Sequence, residues 1–175
     1  MEKQIKRQEI YNGKVIHVVR DEVALDDGGT AIREVVLHNG GVCIALNDNG
    51  YYYLVSQFRY VLGKEMLEFP AGKIEKGEDP DDAIRREVVE ETGFEAKDIR
   101  KLGSIIPTCG YCSERIHLYY AKAGEHVGQH FDPDERIDLK KYTFSQIRQL
   151  ILDGSIDDAK TIALMYYLEA NGIDG

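Results

Sequence analysis

The sequence predicts an α+β sandwich. Apolar residues alternate along several short segments, and Gly-, Asp- and Asn-rich turns separate these segments, as expected for β-strands. These strands lie on both sides of one Glu-rich helical segment, and two further helical patterns follow near the C-terminus. A helix flanked by strands, with helices at the end, favours layers of helix and sheet around a common core.

The first elements are strands. Residues 3–11 and 14–25 carry alternating apolar positions, and DDGG at 26–29 predicts a tight turn before a third strand at 31–38. Two more strands are expected at 42–47 and 51–58. NDNG at 47–50 predicts that these two form a hairpin.

One helix is expected over residues 80–92. Asp79 can cap its first turn, Pro80 suits the first helical position, and Gly93 can supply a left-handed stop. Strands are predicted next near 100–106, 115–121 and 137–142. Helices follow at 144–152 and 157–170, and the second of these carries an apolar packing face at Ile162, Ala163, Met165 and Tyr166.

Three carboxylates share one face of the first helix. Glu87 and Glu91 are four residues apart, and Glu90 lies on the same side. Like charges at this spacing repel by a few tenths of a kcal/mol per pair, so the cluster needs either open solvent or a cation. A solvated surface helix is the alternative to a cation site.

Composition and charge exclude several classes of function. The chain has 175 residues, which suits one domain with a small appendage, and its charged and hydrophobic fractions of 30% and 43% are ordinary for a globular protein. The net charge of −9 offers no general footprint for nucleic acid or an anionic membrane, so no such partner is expected. No apolar stretch suggests a membrane span or a signal peptide, and a cytoplasmic location is expected.

Two of the three cysteines form a C-x-x-C motif, Cys109 and Cys112 in CGYC. This spacing is found in redox pairs and in half of a zinc site. A thioredoxin-like pair should open a helix after a strand, whereas this one is expected in a Gly-containing loop, and zinc would need two further ligands with only His117 near. Neither role is favoured. Cys43, in an apolar run, is expected to be a buried small hydrophobe.

The segment GKIEKGEDPDDAIRREVVEETGF at 72–94 resembles the signature of the Nudix hydrolases at every position. The matching residues are Gly72, Glu78, Arg86, Glu87, Val88, Glu90, Glu91, Gly93 and the apolar Phe94. The resemblance implies an α/β/α sandwich with a mixed sheet between helices, formed by residues 41–175. Residues 1–40 would be a small N-terminal antiparallel β extension that builds a swapped homodimer.

The resemblance also implies a metal site. Mg²⁺ prefers hard oxygen ligands and bridges carboxylates to phosphates, so Glu87 and Glu91 are predicted as its primary ligands, with Mn²⁺ as the alternative ion. Glu90 would be a third ligand or a catalytic partner beside the metal, and the carbonyl of Ala71 would complete the shell. Gly72 would let this loop approach closely. Arg86 would orient the carboxylates, and Glu78 would pair with it.

Further segments resemble ADP-ribose pyrophosphatases and their nucleoside-diphosphate-sugar relatives. They are VSQFRY at 55–60, LEFPAGKIEKGE at 67–78, SERIHLYYA at 113–121 and DAKTIAL at 158–164. By this resemblance Arg59 would contact the substrate's terminal phosphate or ribose, and Arg33 would stack on adenine. Both arginines could instead be surface residues. Glu68 would bind substrate or only end a strand.

Glu114 is the candidate general base or additional metal ligand. It lies on a Gly-containing loop that could move over a site, and a solvent-facing carboxylate is the alternative. In the ADP-ribose hydrolases a proline usually precedes the glycine of this loop, whereas this chain has Cys109. That departure leaves the preferred sugar open.

The predicted activity is metal-dependent hydrolysis of the diphosphate bridge of a nucleoside diphosphate sugar, by a Nudix pyrophosphohydrolase. ADP-ribose, giving AMP and ribose 5-phosphate, is the first substrate, and another diphosphate sugar such as GDP-mannose is the second. Two other classes are weighed against this prediction: a noncatalytic Nudix-like ligand-binding module, and a redox protein that uses CGYC.

Overall fold

The computed structural model describes residues 1–130 and 137–173. Within them the chain forms two compact units. The first contains residues 1–40 together with residues 106–115, and the second contains the remainder. The sequence prediction had assigned residues 106–115 to the main domain, whereas the structure groups them with the N-terminal strands. Among the described residues, none of the helices has the length and apolarity needed to cross a membrane.

The first unit holds a three-stranded antiparallel sheet. Its strands are β1 (Lys3–Asn12), β2 (His17–Ala24) and β3 (Thr30–Leu37), in the order β1-β2-β3. Strand β2 begins three residues later than predicted because the Gly13 N–H bonds the Ile16 carbonyl at 2.9 Å and closes a tight turn. The structure therefore contains the predicted antiparallel N-terminal extension.

The second unit holds a seven-stranded sheet in the order β10-β5-β4-β9-β8, with β6 paired to β5 and β7 paired to β4. Strands β4 and β9 are parallel and the other pairs are antiparallel, so the predicted mixed sheet is confirmed. The strands are β4 (Gly41–Asp48), β5 (Tyr51–Arg59), β6 (Lys64–Glu68), β7 (Ala71–Lys73), β8 (Phe94–Ile105), β9 (Ile116–His126) and β10 (Ile137–Thr143), and the helices are α1 (Pro80–Thr92), α2 (Phe144–Leu152) and α3 (Ala159–Ala170).

Strand β4 shows why the helices cover both faces of this sheet. Its first six residues are all buried, but successive side chains point to opposite faces. Val42, Ile44 and Leu46 pack with α1, whereas Cys43 and Ala45 pack with α2 and α3. The α/β/α sandwich is therefore confirmed.

Local signals located α1 and the β4–β5 hairpin correctly. The Asp79 side chain accepts from the Asp81 N–H, Pro80 opens α1, and Gly93, at φ 73°, ends it with a hydrogen bond to the Val89 carbonyl. The hairpin turns on Asn49 and Gly50, with φ angles of 53° and 88°. Positive φ at both turn residues is the geometry that Asn-Gly favours.

Three strand features were missed by the sequence prediction. Strands β6 and β7 have five and three residues, too few for a periodic pattern to be recognised. Strand β8 begins at Phe94 rather than near residue 100, because its register shifts between Lys97 and Arg100, with Asp98 at φ 53°. A bulge of this kind interrupts the alternation on which the prediction depends.

Candidate active site

Arg86 is the centre of the carboxylate cluster on α1. Its guanidinium donates to Glu87 at 2.8 Å and to Glu90 at 2.9 Å, and it makes two bonds of 3.0 Å to Glu78. These bonds, to Glu78 first and then to Glu87, raise the pKa of Arg86. In turn, Arg86 holds the pKa of Glu78 below its usual range. The predicted pairing of Arg86 with Glu78 and the carboxylates is thus present.

Strand β7 brings a backbone segment directly against these carboxylates. It pairs with β4, with Gly72 opposite Val42. A β-carbon at position 72 would lie 1.8 Å from the carboxyl carbon of Glu87, so no residue larger than glycine fits without movement. The Ala71 N–H donates to Glu91 at 2.9 Å. The predicted close approach at Gly72 is therefore present, while the Ala71 carbonyl as a metal ligand stays a prediction.

Glu91 is the most buried of these carboxylates, with 5% of its surface exposed. Two groups in the segment after β9 donate hydrogen bonds to main-chain carbonyls at the end of α1. Gln129 Nε2 donates to the Glu91 carbonyl at 2.7 Å, and the His130 N–H donates to the Glu90 carbonyl at 3.2 Å. Such bonds occupy carbonyls that the end of a helix leaves unpaired. The C-terminal turn of α1 is thereby fixed from a second direction.

The donor set suits a divalent cation. Three carboxylates, those of Glu78, Glu87 and Glu90, contact one guanidinium, and a fourth, Glu91, accepts from the Ala71 N–H, so negative charge is in excess. Carboxylate oxygens are ligands that Mg²⁺ prefers. Among the described residues no three acidic, histidine or cysteine side chains already converge as a metal site. Arg86 holds two of the candidate ligands and the Ala71 N–H holds the third, so the carboxylates would turn to bind the ion.

A second charged cluster surrounds Glu68 at the end of β6. Glu68 is 3% exposed and accepts two bonds from Arg59, of 2.8 and 2.7 Å. Lys160 donates to the same carboxylate and also contacts Asp158 at 3.0 Å. Burial raises the pKa of Glu68, but Arg59 and Lys160 outweigh burial and hold the pKa below its usual range.

Arg59 connects the two clusters electrostatically. Its bonds to Glu68 are the main cause of its raised pKa, and the negative charge of Glu91 contributes in the same direction. About two fifths of the Arg59 side chain, 39%, remains exposed. An accessible guanidinium within electrostatic reach of a candidate metal ligand is suited to binding a phosphate.

Sequence reasoning missed Lys160, although a signal was present. Lys160 occupies the second position of α3, whose N-terminus carries partial positive charge from the helix dipole. A cation there is unfavourable unless carboxylates compensate it, and Asp158 and Glu68 do so. A lysine in the first turn of a helix could therefore have indicated a buried ionic cluster.

Arg33 and Glu114 both belong to the first unit. Arg33 lies on β3 and forms an ion pair with Glu2, with one bond of 3.0 Å and a second, shorter one. Glu114 is 30% exposed and its carboxylate lies 3.6 Å from His38 Nδ1. Their roles in stacking on a base and in accepting a proton stay predictions.

The C-x-x-C motif lies in the connection between β8 and β9, which forms a hydrogen-bonded turn. The Cys112 N–H donates to the Thr108 carbonyl at 3.0 Å, which closes one helical turn after β8. Cys109 is exposed, Cys112 is partly exposed, and both are free thiols. The motif therefore lies in the Gly-containing connection before β9, as expected, and Gly110 is part of its hydrogen-bonded turn. Cys43 is fully buried, as expected.

Comparisons with known proteins agree with this geometry. A protein from Bacillus methanolicus described as a methanol dehydrogenase activator is 39% identical over 96% of this chain and 92% of its own length. An ADP-ribose pyrophosphatase from Bacillus subtilis (strain 168) is 34% identical over the same shares. A GDP-mannose pyrophosphatase from Yersinia enterocolitica is 35% identical over 85% of each chain.

A solved structure of an ADP compounds hydrolase superposes with a TM-score of 0.85 at 18% identity, covering 98% of this chain and 96% of that one, which shows the same fold. The NUDIX domain model matches residues 37–165. This range contains the whole carboxylate helix together with Gly72, Arg59 and Glu68. The resemblance inferred from the sequence is confirmed, and the chain belongs to the Nudix family.

Proposed function

We propose that the chain is a metal-dependent pyrophosphohydrolase that cleaves the diphosphate bridge of a nucleoside diphosphate sugar. The observation that carries this proposal is the carboxylate set of α1: Glu87 and Glu90 bond to Arg86, Glu91 accepts from the Ala71 N–H, and Glu87 packs against the backbone of Gly72. ADP-ribose is the first candidate substrate and GDP-mannose is the second. Relatives with both names support the class, and Cys109 in the place of the usual proline leaves the sugar open.

Nudix hydrolases generally depend on divalent metal ions, and we propose Mg²⁺, with Mn²⁺ as the alternative. Glu87, Glu90 and Glu91 would hold the ion together with the Ala71 carbonyl. When bound, it would neutralise charge on the phosphoryl oxygens and lower the pKa of the attacking water. Arg86 keeps the carboxylates oriented in its absence, and Gly72 leaves room for Glu87 to turn.

The remaining steps belong to side chains of this protein. Arg59 would bind the phosphate or terminal ribose, oriented by its bidentate contact with Glu68. Arg33 would exchange its exposed pairing with Glu2 for the face of the base. Glu114 would accept or orient the proton of the water that adds to phosphorus. With ADP-ribose, one water and one diphosphate bridge would yield AMP and ribose 5-phosphate.

We also propose that the protein is a homodimer, assembled through the three-stranded sheet of the first unit. All ten residues of β1 are exposed, and this strand forms an edge of its sheet. Ile5, Ile10 and Tyr11 are each more than half exposed. A long exposed edge with apolar side chains tends to pair with another chain.

We further propose that the protein is cytoplasmic. The free thiols of Cys109 and Cys112 are compatible with this reducing compartment.

The deciding experiment is a substrate panel. Release of nucleoside monophosphate is measured from ADP-ribose, GDP-mannose, other diphosphate sugars, dinucleotides and nucleoside triphosphates, each with Mg²⁺ and with EDTA. EDTA-sensitive cleavage of one diphosphate sugar is the expected result and would name the substrate. Binding of a nucleotide sugar without any cleavage would instead support a noncatalytic module.

A further inference from the structure

The cysteines of the C-x-x-C motif have a backbone geometry that suits a disulfide. The N–H groups of Tyr111 and Cys112 both donate to the Thr108 carbonyl, at 3.4 and 3.0 Å, and so form one helical turn. Residues three apart on such a turn have Cα atoms about 5 Å apart. Disulfide-bonded cysteines have Cα separations of about 4.4–6.8 Å. Cys109 and Cys112 could therefore be linked without unfolding the turn.

The three cysteines differ in their access to solvent. Cys109 is exposed and Cys112 is partly exposed, whereas Cys43 is buried in the core. Burial also raises the pKa of the Cys43 thiol, which keeps it protonated and unreactive. A dissolved oxidant would therefore reach the motif and leave Cys43 intact.

The turn is tied to the end of β3 by main-chain bonds. The Val36 N–H donates to the Tyr111 carbonyl at 2.7 Å, and the Ser113 N–H donates to the Val36 carbonyl at 2.9 Å. Cys112 and Val36 thus form an isolated parallel β-bridge through these main-chain hydrogen bonds. Restraining the turn would restrain the chain on both sides of Cys112.

The same attachment continues to Glu114. The His38 N–H donates to Ser113 Oγ at 2.9 Å, and His38 Nδ1 lies 3.6 Å from the Glu114 carboxylate. Glu114 is only two residues beyond Cys112. The position of this carboxylate therefore depends on the backbone that the two cysteines would lock.

We propose that Cys109 and Cys112 form a reversible disulfide that switches the Glu114 loop between a movable and a locked state. The co-reactant is a low-molecular-weight disulfide. The Cys109 thiolate attacks one of its sulfurs, forms a mixed disulfide and releases one thiolate. The Cys112 thiolate then attacks the Cys109 sulfur and releases the second. Two protein thiols are oxidised, one small disulfide is reduced to two thiols, and the two protons pass to the leaving thiolates.

The locked loop should slow turnover. A positioned general base contributes about 10²–10⁴-fold to a rate, so a Glu114 that cannot move into place should lower kcat by at least about tenfold. KM should change little, because Arg33 and Arg59 lie outside the turn. This effect rests on the proposed function, whereas formation of the disulfide does not.

Thiol chemistry tests the bond itself. The protein is reduced, freed of reductant, incubated with excess oxidised glutathione, alkylated and analysed by mass spectrometry. The expected result is loss of the Cys109 and Cys112 thiols as one intramolecular bond, with Cys43 retained and full recovery after dithiothreitol. Cys109→Ser and Cys112→Ser should form only mixed disulfides. Two thiols that stay alkylatable, or wild-type protein that stays glutathionylated, would overturn the proposal.

Activity and amide exchange test the coupling to Glu114. Oxidised wild type should show the fall in kcat, reversed by dithiothreitol, and the Cys109→Ser/Cys112→Ser double variant should have the same kcat in both conditions. The Ser113 amide should exchange more slowly in the oxidised form. If the reduced protein hydrolyses nothing in the substrate panel described above, the proposed function fails. Exchange of the Ser113 amide then decides by itself whether the disulfide restrains the loop. Unchanged kcat in an active enzyme, or unchanged exchange, would overturn the switch.

Discussion

The backbone of Gly72 is packed against the carboxylate of Glu87, and a β-carbon at position 72 would lie within 2.1 Å of both carboxylate oxygens. The two residues are 15 positions apart and belong to different elements, β7 and α1. Their contact places a candidate metal ligand directly beside the strand that carries Ala71. A larger residue at position 72 would therefore displace the Glu87 carboxylate.

Gly72→Ala should impair catalysis while leaving the sheet intact. Its methyl group would push the Glu87 carboxylate aside, and a misplacement of about 1 Å can cost on the order of 100-fold in rate. We expect kcat to fall by at least about tenfold in steady-state assays with Mg²⁺. Gly29→Ala is the matched control, since Gly29 lies in the exposed turn between β2 and β3 and its β-carbon would meet only side-chain atoms, the nearest at 3.1 Å. Wild-type kcat in Gly72→Ala would contradict the role of this contact.

Glu91→Gln should lower activity without destabilising the fold, because it removes the charge of the side chain and keeps its shape. Glutamine keeps an oxygen that can accept from the Ala71 N–H, but it loses the negative charge that would bind a cation. Turnover should fall by about two orders of magnitude or more, the scale of a single electrostatic group in an active site. The melting temperature should stay within about 3 °C, roughly 1 kcal/mol for a chain of this size.

Glu95→Gln is the control for that variant, because Glu95 is an exposed glutamate on β8. It should have wild-type kcat and stability. Normal activity in Glu91→Gln, measured beside it, would remove Glu91 from the metal site.

The buried carboxylate of Glu68 should make stability depend on pH. Its pKa in the folded state is lowered from an ordinary value of 4.5, so its charged form stabilises the fold above that pH. This contribution should be lost as the pH falls from 4.5 through the lower folded-state value. Chemical denaturation of wild type and Glu68→Gln at several pH values should give a difference in free energy of unfolding that shrinks over this window. A difference that is constant over it would mean that the Arg59 and Lys160 contacts do not depress the pKa.

Arg33→Ala should raise KM for the nucleotide sugar more than it lowers kcat. A residue that binds the base acts on the ground state and the transition state alike, so its loss weakens binding without slowing the chemical step. Glu2→Gln is the control, because it removes the ion pair seen in the structure and keeps the arginine. A fall in kcat at unchanged KM would rule out stacking on the base.

Charge on β1 should disrupt the proposed dimer. Wild type at micromolar concentration should have the mass of a dimer in sizing with light scattering. Ile5→Glu/Ile10→Glu should shift the particle toward a monomer, because two exposed apolar side chains of the edge strand become charged. Lys3→Glu is the control, because it introduces a glutamate on the same strand but removes no apolar side chain. A wild-type protein that is strictly monomeric would refute assembly through this sheet.

Local signals made the carboxylate helix predictable. Its cap, its proline, its glycine stop and the spacing of its glutamates all act within one or two turns, and the 3.6-residue period alone puts Glu87 and Glu91 on one face. The same holds for the Asn-Gly hairpin, where the residue types determine the turn. Strands β6 and β7 were missed because a short strand is defined by its partners, and β8 because a bulge shifts its alternation.

The sequence by itself determined the Nudix carboxylate set, the order of most elements and the mixed α/β/α architecture implied by the resemblance. Only the tertiary structure decided which residues meet across the chain: Gly72 with Glu87, and Glu68 with Arg59 and with Lys160, which is 92 residues away. These contacts follow from strand pairing and from the docking of α3. No local period encodes them, because they arise only when the sheet has assembled and the core has closed around it.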